Sequence, residues 1–365
     1  METATAARIF YDWAAAEGLV ESATEPTSQA TEIAAITPVN DAGKQLLRAK
    51  QIQAVAFNEP DRHIVVFTRK AVPTSKKARN ALPQMVDDVE VKYRQGAQET
   101  VGEPPSLPFG GPPYVIRQTA AGGKYACGSS VSVGNYRDAG TLGCLVKNAG
   151  GEMFGLSNNH VTGACSFANV GLPIVAPGIF DVSAGGLYPS TIGLHEQSLA
   201  MVPGSPDNVR HLFNFDSAIF RILDSSQVTS YQGNAYDTPA ATAPLFPDIL
   251  VEKVGRTTGH THGKVIGQLH GPHAIAYNSP LYGFTGHIFF EPVFAVVGTG
   301  STPFSDHGDS GALITALDAG VRKAVGIVVG GMADRSAPGG KTTIALPLAP
   351  VLAQFGVTLV SGHNV

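Results

Sequence analysis

The sequence predicts a mainly β chain with a small α/β unit at its N-terminus, from three observations. Glycine and proline supply 42 and 25 of the 365 residues. That is about 18% against a usual ~12%, too many turn formers for a helical bundle. Short β-rich runs separated by Gly and Pro follow one another through the last two thirds of the chain, the pattern of a barrel or sandwich. Residues 103–113 carry five prolines and a Gly pair, so they can form neither a helix nor a central strand. That segment marks a boundary, giving an α/β unit over residues 1–110.

In chain order, residues 6–20 read as a helix carrying Ile9, Phe10, Trp13 and Leu19, and the polar residues 21–32 as a surface connection. Asn40 or Asp41 caps a short helix through Leu46 and Leu47. Residues 52–57 and 63–68 form a hairpin across Asn58-Glu59-Pro60-Asp61. Ser75 caps a basic helix (Lys76, Lys77, Arg79) that stops before Pro83. Residues 86–93 are a third strand, completing a β-β-α-β unit without a catalytic constellation. Beyond the boundary, strands are expected at 141–146, 152–157, 218–223, 249–254, 264–269, 288–297, 312–315, 324–329 and 343–348. Pro350 opens a last helix that runs to Gln354 and ends at Gly356.

A net charge of −4 gives no electrostatic case for nucleic acid or an anionic membrane. No run of ~18 uncharged apolar residues is present to span a bilayer. The N-terminus lacks the basic and apolar regions of a secretory signal, so a cytoplasmic location is expected. Three cysteines are too few for a disulfide framework.

Three segments carry chemistry, in the order His, Asp, Ser. His160 follows a strand in Leu156-Ser157-Asn158-Asn159-His160-Val161, after the hairpin turn Asn148-Ala149-Gly150-Gly151. Asp216 leads into an apolar strand in Phe215-Asp216-Ser217-Ala218-Ile219. Ser310 sits in Gly308-Asp309-Ser310-Gly311. Taken singly, these are an ordinary turn, a core or surface histidine and a capping aspartate. Together they supply a complete acyl-transfer set. A serine hydroxyl is a poor nucleophile at neutral pH and needs a base within reach. Histidine takes and returns a proton near neutrality, and a carboxylate holds its tautomer. Glycines beside the serine let the N–H groups of Gly308 and Ser310 face a developing oxyanion. The order excludes α/β-hydrolases (Ser, Asp, His) and subtilisins (Asp, His, Ser).

These segments resemble the chymotrypsin-like serine proteases. More narrowly, residues from about 55 onward resemble the plant Narrow Leaf protease group and its bacterial relatives. The matching pieces include Gly140-Thr141-Leu142-Gly143-Cys144, Pro177-Gly178, Val254-Gly255-Arg256-Thr257-Thr258-Gly259 and Phe304-Ser305-Asp306-His307 before the serine motif. The resemblance implies two six-stranded antiparallel β-barrels, over residues 111–235 and 236–365, with the active site between them. It implies His160 as general base, Asp216 as its orienter and Ser310 as nucleophile of a serine endopeptidase acting on protein or peptide substrates. The alternative is an idle or partner-regulated binding protein on a protease fold, and an esterase shares the chemistry. A regulatory partner or homo-oligomer stays open.

There are departures. Asn158-Asn159 stand where the familiar enzymes have Ala-Ala. Asp309, which pairs with a new N-terminus in secreted zymogens, has no evident partner, which leaves activation by a partner or by cleavage open. The family pattern puts Phe304 at the floor of the specificity pocket and residues 328–331 on its wall, implying a small or apolar residue before the cleaved bond; a shifted loop register would put the nearby Asp306 there and invert that inference. Residues 254–262 read as a structural turn with Arg256 pairing a carboxylate. His260, His262, His270 and His273 lack an acidic or cysteine ligand at helpful spacing, so no metal is expected, and no cofactor. Cys144 and Cys165 flank the histidine segment, a neighbourhood that secreted members of the fold bridge, so a disulfide there is conceivable; in a reducing cytoplasm they and Cys127 are expected as free thiols.

Overall fold

In the N-terminal unit, apolar spacing along one helix face meets a hairpin rich in β-branched residues, and the two bury each other. The computed structural model describes residues 1–20, 28, 30–102, 105–109, 111–183 and 186–365. The helix Thr3–Ala16 presents Ile9, Phe10 and Trp13 to Val55, Ile64 and Val66 on the paired strands Ile52–Asn58 and His63–Thr68. Asn40 Oδ1 caps the helix Asp41–Lys50 by accepting from Gly43 N at 2.9 Å, and Ser75 Oγ caps Lys76–Ala81 by accepting from Ala78 N at 3.3 Å. The strand expected at 86–93 is broken. Asp87 turns left-handed (φ 52°), giving Met85–Val86 and Val89–Gln95. Val89–Gln95 then runs parallel to His63–Thr68, as the intervening helix permits. Most of the polar connection at 21–32 lies outside the described residues, though a short helix, Ala30–Ile33, closes it.

The first barrel is a curled antiparallel sheet in which Cys144–Lys147, Met153–Ser157, Ala218–Ile222, Ser190–Ser198, Pro173–Ala176 and Ser130–Val133 lie side by side in that order. Phe220, Leu145, Ile174 and Val131 fill it. Gly155 and Gly193 admit the Phe220 ring: a Cβ at either would fall 2.2 or 2.4 Å from it.

The second barrel closes. Leu250–Gly255 pairs with both Gly259–Leu269 and Leu313–Asp318, and the circuit is completed by Val321–Ala333, Lys341–Pro347 and Phe294–Gly298. The single strand expected at 288–297 is two, Phe284–Phe290 and Phe294–Gly298, because Pro292 cannot donate to a ladder. The former pairs with His273–Ser279, a strand the alternation did not reveal, in a separate ribbon. The final helix, Leu348–Phe355, ends at Gly356 in the left-handed region (φ 65°). Its Leu348, Val351 and Leu352 join Leu156, Ile219, Phe290 and Leu313 in a core spanning the seam between the barrels.

The N-terminal unit is tied to the second barrel through backbone. Ala56 and Phe57 pair with Leu269 and Gln268, so one sheet runs through both. Ala97–Gln98 adds a further antiparallel strand on the far end of Val321–Ala333. In the Pro-rich segment, Ser106 N donates to His307 O at 3.0 Å and Phe109 N to Thr257 O at 2.8 Å. Residues 103, 104 and 110 lie outside the described ones. No described helix is long and apolar enough to cross a membrane.

Candidate active site

Adjacent strands bring His160 and Asp216 together. Met153–Ser157 pairs with Ala218–Ile222, with Ser157 opposite Ala218, so the residues just beyond those ends are neighbours. His160 sits on the single turn Asn159–Thr162. Its Nδ1 lies 2.5 Å from Asp216 Oδ2, and its backbone N–H donates to Asp216 Oδ1 at 3.0 Å. Asp216 is fully buried. A third donor reaches it: Tyr277 Oη donates to Oδ2 at 3.0 Å. Burial and the neighbouring carboxylate push the Tyr277 phenol well above its usual range, keeping it a neutral donor. A carboxylate oxygen accepts, so in this contact His160 Nδ1–H is the donor, and Nε2 lies outside it. Tyr277 escaped sequence reading because its strand carries no catalytic pattern.

The two asparagines before His160 are structural. Asn158 Nδ2 donates to Asp216 O at 2.6 Å, and Asn159 Nδ2 to Leu199 O at 2.9 Å. Both are buried. Asn158 anchors the histidine turn to the aspartate loop, and Asn159 ties it to the residue after the strand Ser190–Ser198.

The serine loop needs its glycines. Gly308 and Gly311 have φ 99° and 92°. A Cβ on Gly311 would lie 2.3 Å from Ser157 Oγ and 2.4 Å from Thr141 O. The loop hangs on Thr141, whose N–H donates to Ser310 O at 2.8 Å and whose Oγ1 donates to Gly308 O at 2.9 Å. Gly143 permits this, since its own Cβ would meet Gly311 O at 2.2 Å; the strand expected at 141–146 accordingly breaks there. Among the described residues, the N–H groups of Gly308 and Ser310 have no protein acceptor. Ser310 Oγ donates to Val329 O at 3.3 Å, while Ser310 and His160 line one cavity of about 40 Å³.

Asp309 has donors within the chain, one of the possibilities the sequence left open. Lys253 Nζ lies 3.3 Å from Asp309 Oδ2, and neither side chain has exposed surface. Thr257 N and Thr258 N donate to Oδ1 at 2.7 and 3.2 Å, and Thr258 Oγ1 and Asp306 N to Oδ2 at 2.6 and 3.0 Å. Burial pushes the Lys253 amine down, against the pull of Asp309. The turn at 254–259 thus builds the socket for Asp309. As expected, Arg256 in that turn pairs a carboxylate, Asp181 of the first barrel, through Nε at 2.8 Å and a second bond from its terminal nitrogen.

Two further expectations are corrected. Phe304 is no pocket floor: fully buried, it packs inside the second barrel with Val265, Phe294 and Ile314. Counting residues back from Ser310 could not reveal which way that side chain points. The four histidines do not form one group, and an acid does reach two of them across the hairpin. Glu252 stands opposite His262 in the register, with its Oε2 2.7 Å from His260 Nε2 and 3.8 Å from His262 Nε2. Arg322 holds Oε1. Burial raises the Glu252 carboxyl, but bonds from His260 and Arg322 outweigh it and bring it to about 2. His270 meets Tyr11 instead, and His273 is buried. All three cysteines are buried free thiols.

The cleft wall beyond Ser310 is already paired. Glu99 N donates to Gly331 O at 3.1 Å, and Glu99 to Gly102 line the cavity with His160 and Ser310.

No family model matches this chain, and no curated protein matches it. Solved structures do, among them chymotrypsin-like serine proteases. Thermobifida fusca protease A aligns over 65% of this chain and 100% of its own at 20% identity, TM-score 0.42. A Nocardiopsis protease covers 64% and 97% at 18% identity, TM-score 0.41. Cellulomonas bogoriensis chymotrypsin covers 65% and 98% at 16% identity, TM-score 0.41. The likeness is one of fold.

Proposed function

We propose that the chain is a serine endopeptidase, related through its motifs to the Narrow Leaf group, with Ser310 as nucleophile, His160 as general base and Asp216 as its orienter. The observation that carries this reading is the His160 Nδ1–Asp216 Oδ2 contact at 2.5 Å, in a cavity shared with the Ser310 hydroxyl and two free backbone donors. The hydroxyl rotates from Val329 O to His160 Nε2, gives up its proton and attacks a peptide carbonyl. The N–H groups of Gly308 and Ser310 receive the oxyanion, each worth ~2.7–4 kcal/mol of barrier. The imidazolium, steadied by Asp216, then protonates the leaving amine, and water releases the acid by the reverse steps.

A fluorophosphonate probe tests the reading directly: it labels the wild type and leaves Ser310→Ala unlabelled. Equal labelling of both would count against it. Comparable rates on matched ester and amide substrates separate a peptidase from an esterase.

A second reading, regulation of the same site, is favoured by two observations. Ser310 is bonded to Val329 O, and residues 99–102 lie in the cleft. Substitutions that loosen that segment then raise the labelling rate.

A further inference from the structure

Beside Ser310 the chain seats one of its own carboxylates. Glu99 Oε2 lies 3.2 Å from Lys341 Nζ and 3.3 Å from His307 Nε2, and all three residues line the cavity that holds His160 and Ser310. Lys341 is the one Lys or Arg among the described residues lining that cavity. It is also held by Asp306, itself on the cavity wall, whose Oδ1 accepts from His307 N at 2.8 Å. Asp306 is in turn fixed by its own N–H to Asp309, so the cation is anchored to the serine loop itself.

The backbone direction says which part of a peptide would follow Glu99. Ala97 and Gln98 pair antiparallel with Ala333 and Met332, and Glu99 N continues the ladder to Gly331 O. The segment therefore runs N to C along this edge towards Val329, whose carbonyl accepts from Ser310. A peptide adding to the same edge, as extended ligands commonly do, would place residues on the acyl side of its scissile bond there. The glycines at 330 and 331 leave room for the segment that now lies on this edge. A Cβ at Gly331 would stand 3.3 Å from Glu99 Oε2, and one at Gly330 would stand 3.1 Å from Val101 Cγ2.

Resting on the endopeptidase reading, we infer that Lys341 and His307 form a carboxylate subsite selecting substrates with an acidic side chain on the acyl side of the cleaved bond, a subsite Glu99 fills in the resting chain. This replaces the expectation of a small or apolar residue drawn from Phe304. Lys341 supplies a charge-assisted donor, and His307 a second donor, to an incoming Glu. A neutral isostere forgoes the ion pair with Lys341, whose ammonium then keeps only Asp306 in a half-buried site.

The test uses peptide pairs that differ only by Glu or Gln on the acyl side. In the full-length Ser310→Ala chain, fluorescence anisotropy is expected to show the Glu peptide binding at least about tenfold more tightly than the Gln peptide. Adding Glu99→Gln is expected to strengthen Glu-peptide binding severalfold by removing the resident carboxylate's ion pairs with Lys341 and His307. Adding Lys341→Met is expected to bring the Glu/Gln ratio to about 1, and Lys341→Arg to keep a preference. Equal binding of the two peptides by the Ser310→Ala/Glu99→Gln chain, or binding by neither, would overturn the subsite. The binding readout needs no turnover. Absent fluorophosphonate labelling with a retained Glu preference would therefore sink the endopeptidase reading alone, and labelling without preference would sink only the subsite.

Discussion

Replacing Lys253 by Met removes the cation from a carboxylate with no exposed surface. Breaking a buried pair from one side typically costs about 3–5 kcal/mol, because the remaining charge is left uncompensated. Asp309 keeps four other donors, from Thr257 N, Thr258 N, Thr258 Oγ1 and Asp306 N. The loss should therefore fall near the lower end, about 3 kcal/mol. Urea unfolding followed by circular dichroism reads it as a lowered midpoint. A second effect accompanies it, because Asp309 lies between the two proposed oxyanion donors. Any shift of its carboxylate misaligns Gly308 N and Ser310 N, and fluorophosphonate labelling should slow at least about tenfold. The double variant Lys253→Met/Asp309→Leu should be more stable than the sum of its singles by about 1–3 kcal/mol, since no orphaned charge remains. An unchanged midpoint and labelling rate in Lys253→Met would refute the claim that this ion pair holds the serine loop. So would strict additivity in the cycle.

Tyr277→Phe deletes one of the donors to Asp216 and should slow labelling about five- to tenfold with little change in the urea midpoint, about 1 kcal/mol of barrier; an unaltered rate would leave Tyr277 a packing residue only. Gly311→Ala sets a Cβ at φ 92° within 2.4 Å of Ser157 Oγ and Thr141 O. It should cost about 3 kcal/mol and abolish labelling, checked by the same two assays. The Glu252 carboxyl is lower in the folded chain, about 2, than its ordinary 4.5. Its contribution to stability is therefore complete above about pH 4.5 and lost as pH falls towards 2. Allowing for solvent screening, Glu252→Gln should remove about 1–2 kcal/mol at pH 7 and flatten the acid limb of the stability profile. An acid limb identical to wild type would argue against it.

Local chemistry was legible wherever a residue acts on its own neighbours. Asn40 and Ser75 cap their helices, Gly356 ends the last one, and the turn at 148–151 joins the strands written on either side of it. The residues proposed as catalytic, His160, Asp216 and Ser310, could be singled out because the proposed chemistry tolerates few residue types in few contexts. What the chain could not declare was anything set by register between distant strands or by the direction of a side chain. Lys253 reads as one polar residue in a strand, until barrel closure turns it inward onto Asp309. Phe304 counts as a pocket residue, until its ring is found in the barrel core. Glu252 meets His260 only across a hairpin, and Tyr277 meets Asp216 only across the seam between barrels. Glu99 lies more than two hundred residues from Lys341 and meets it only because residues 97–98 extend the sheet of the second barrel. Hydrogen bonding and turn geometry act over a few residues and so leave a local trace in sequence. The electrostatic partners of a buried charge are chosen by packing over the whole chain, and only the folded structure names them.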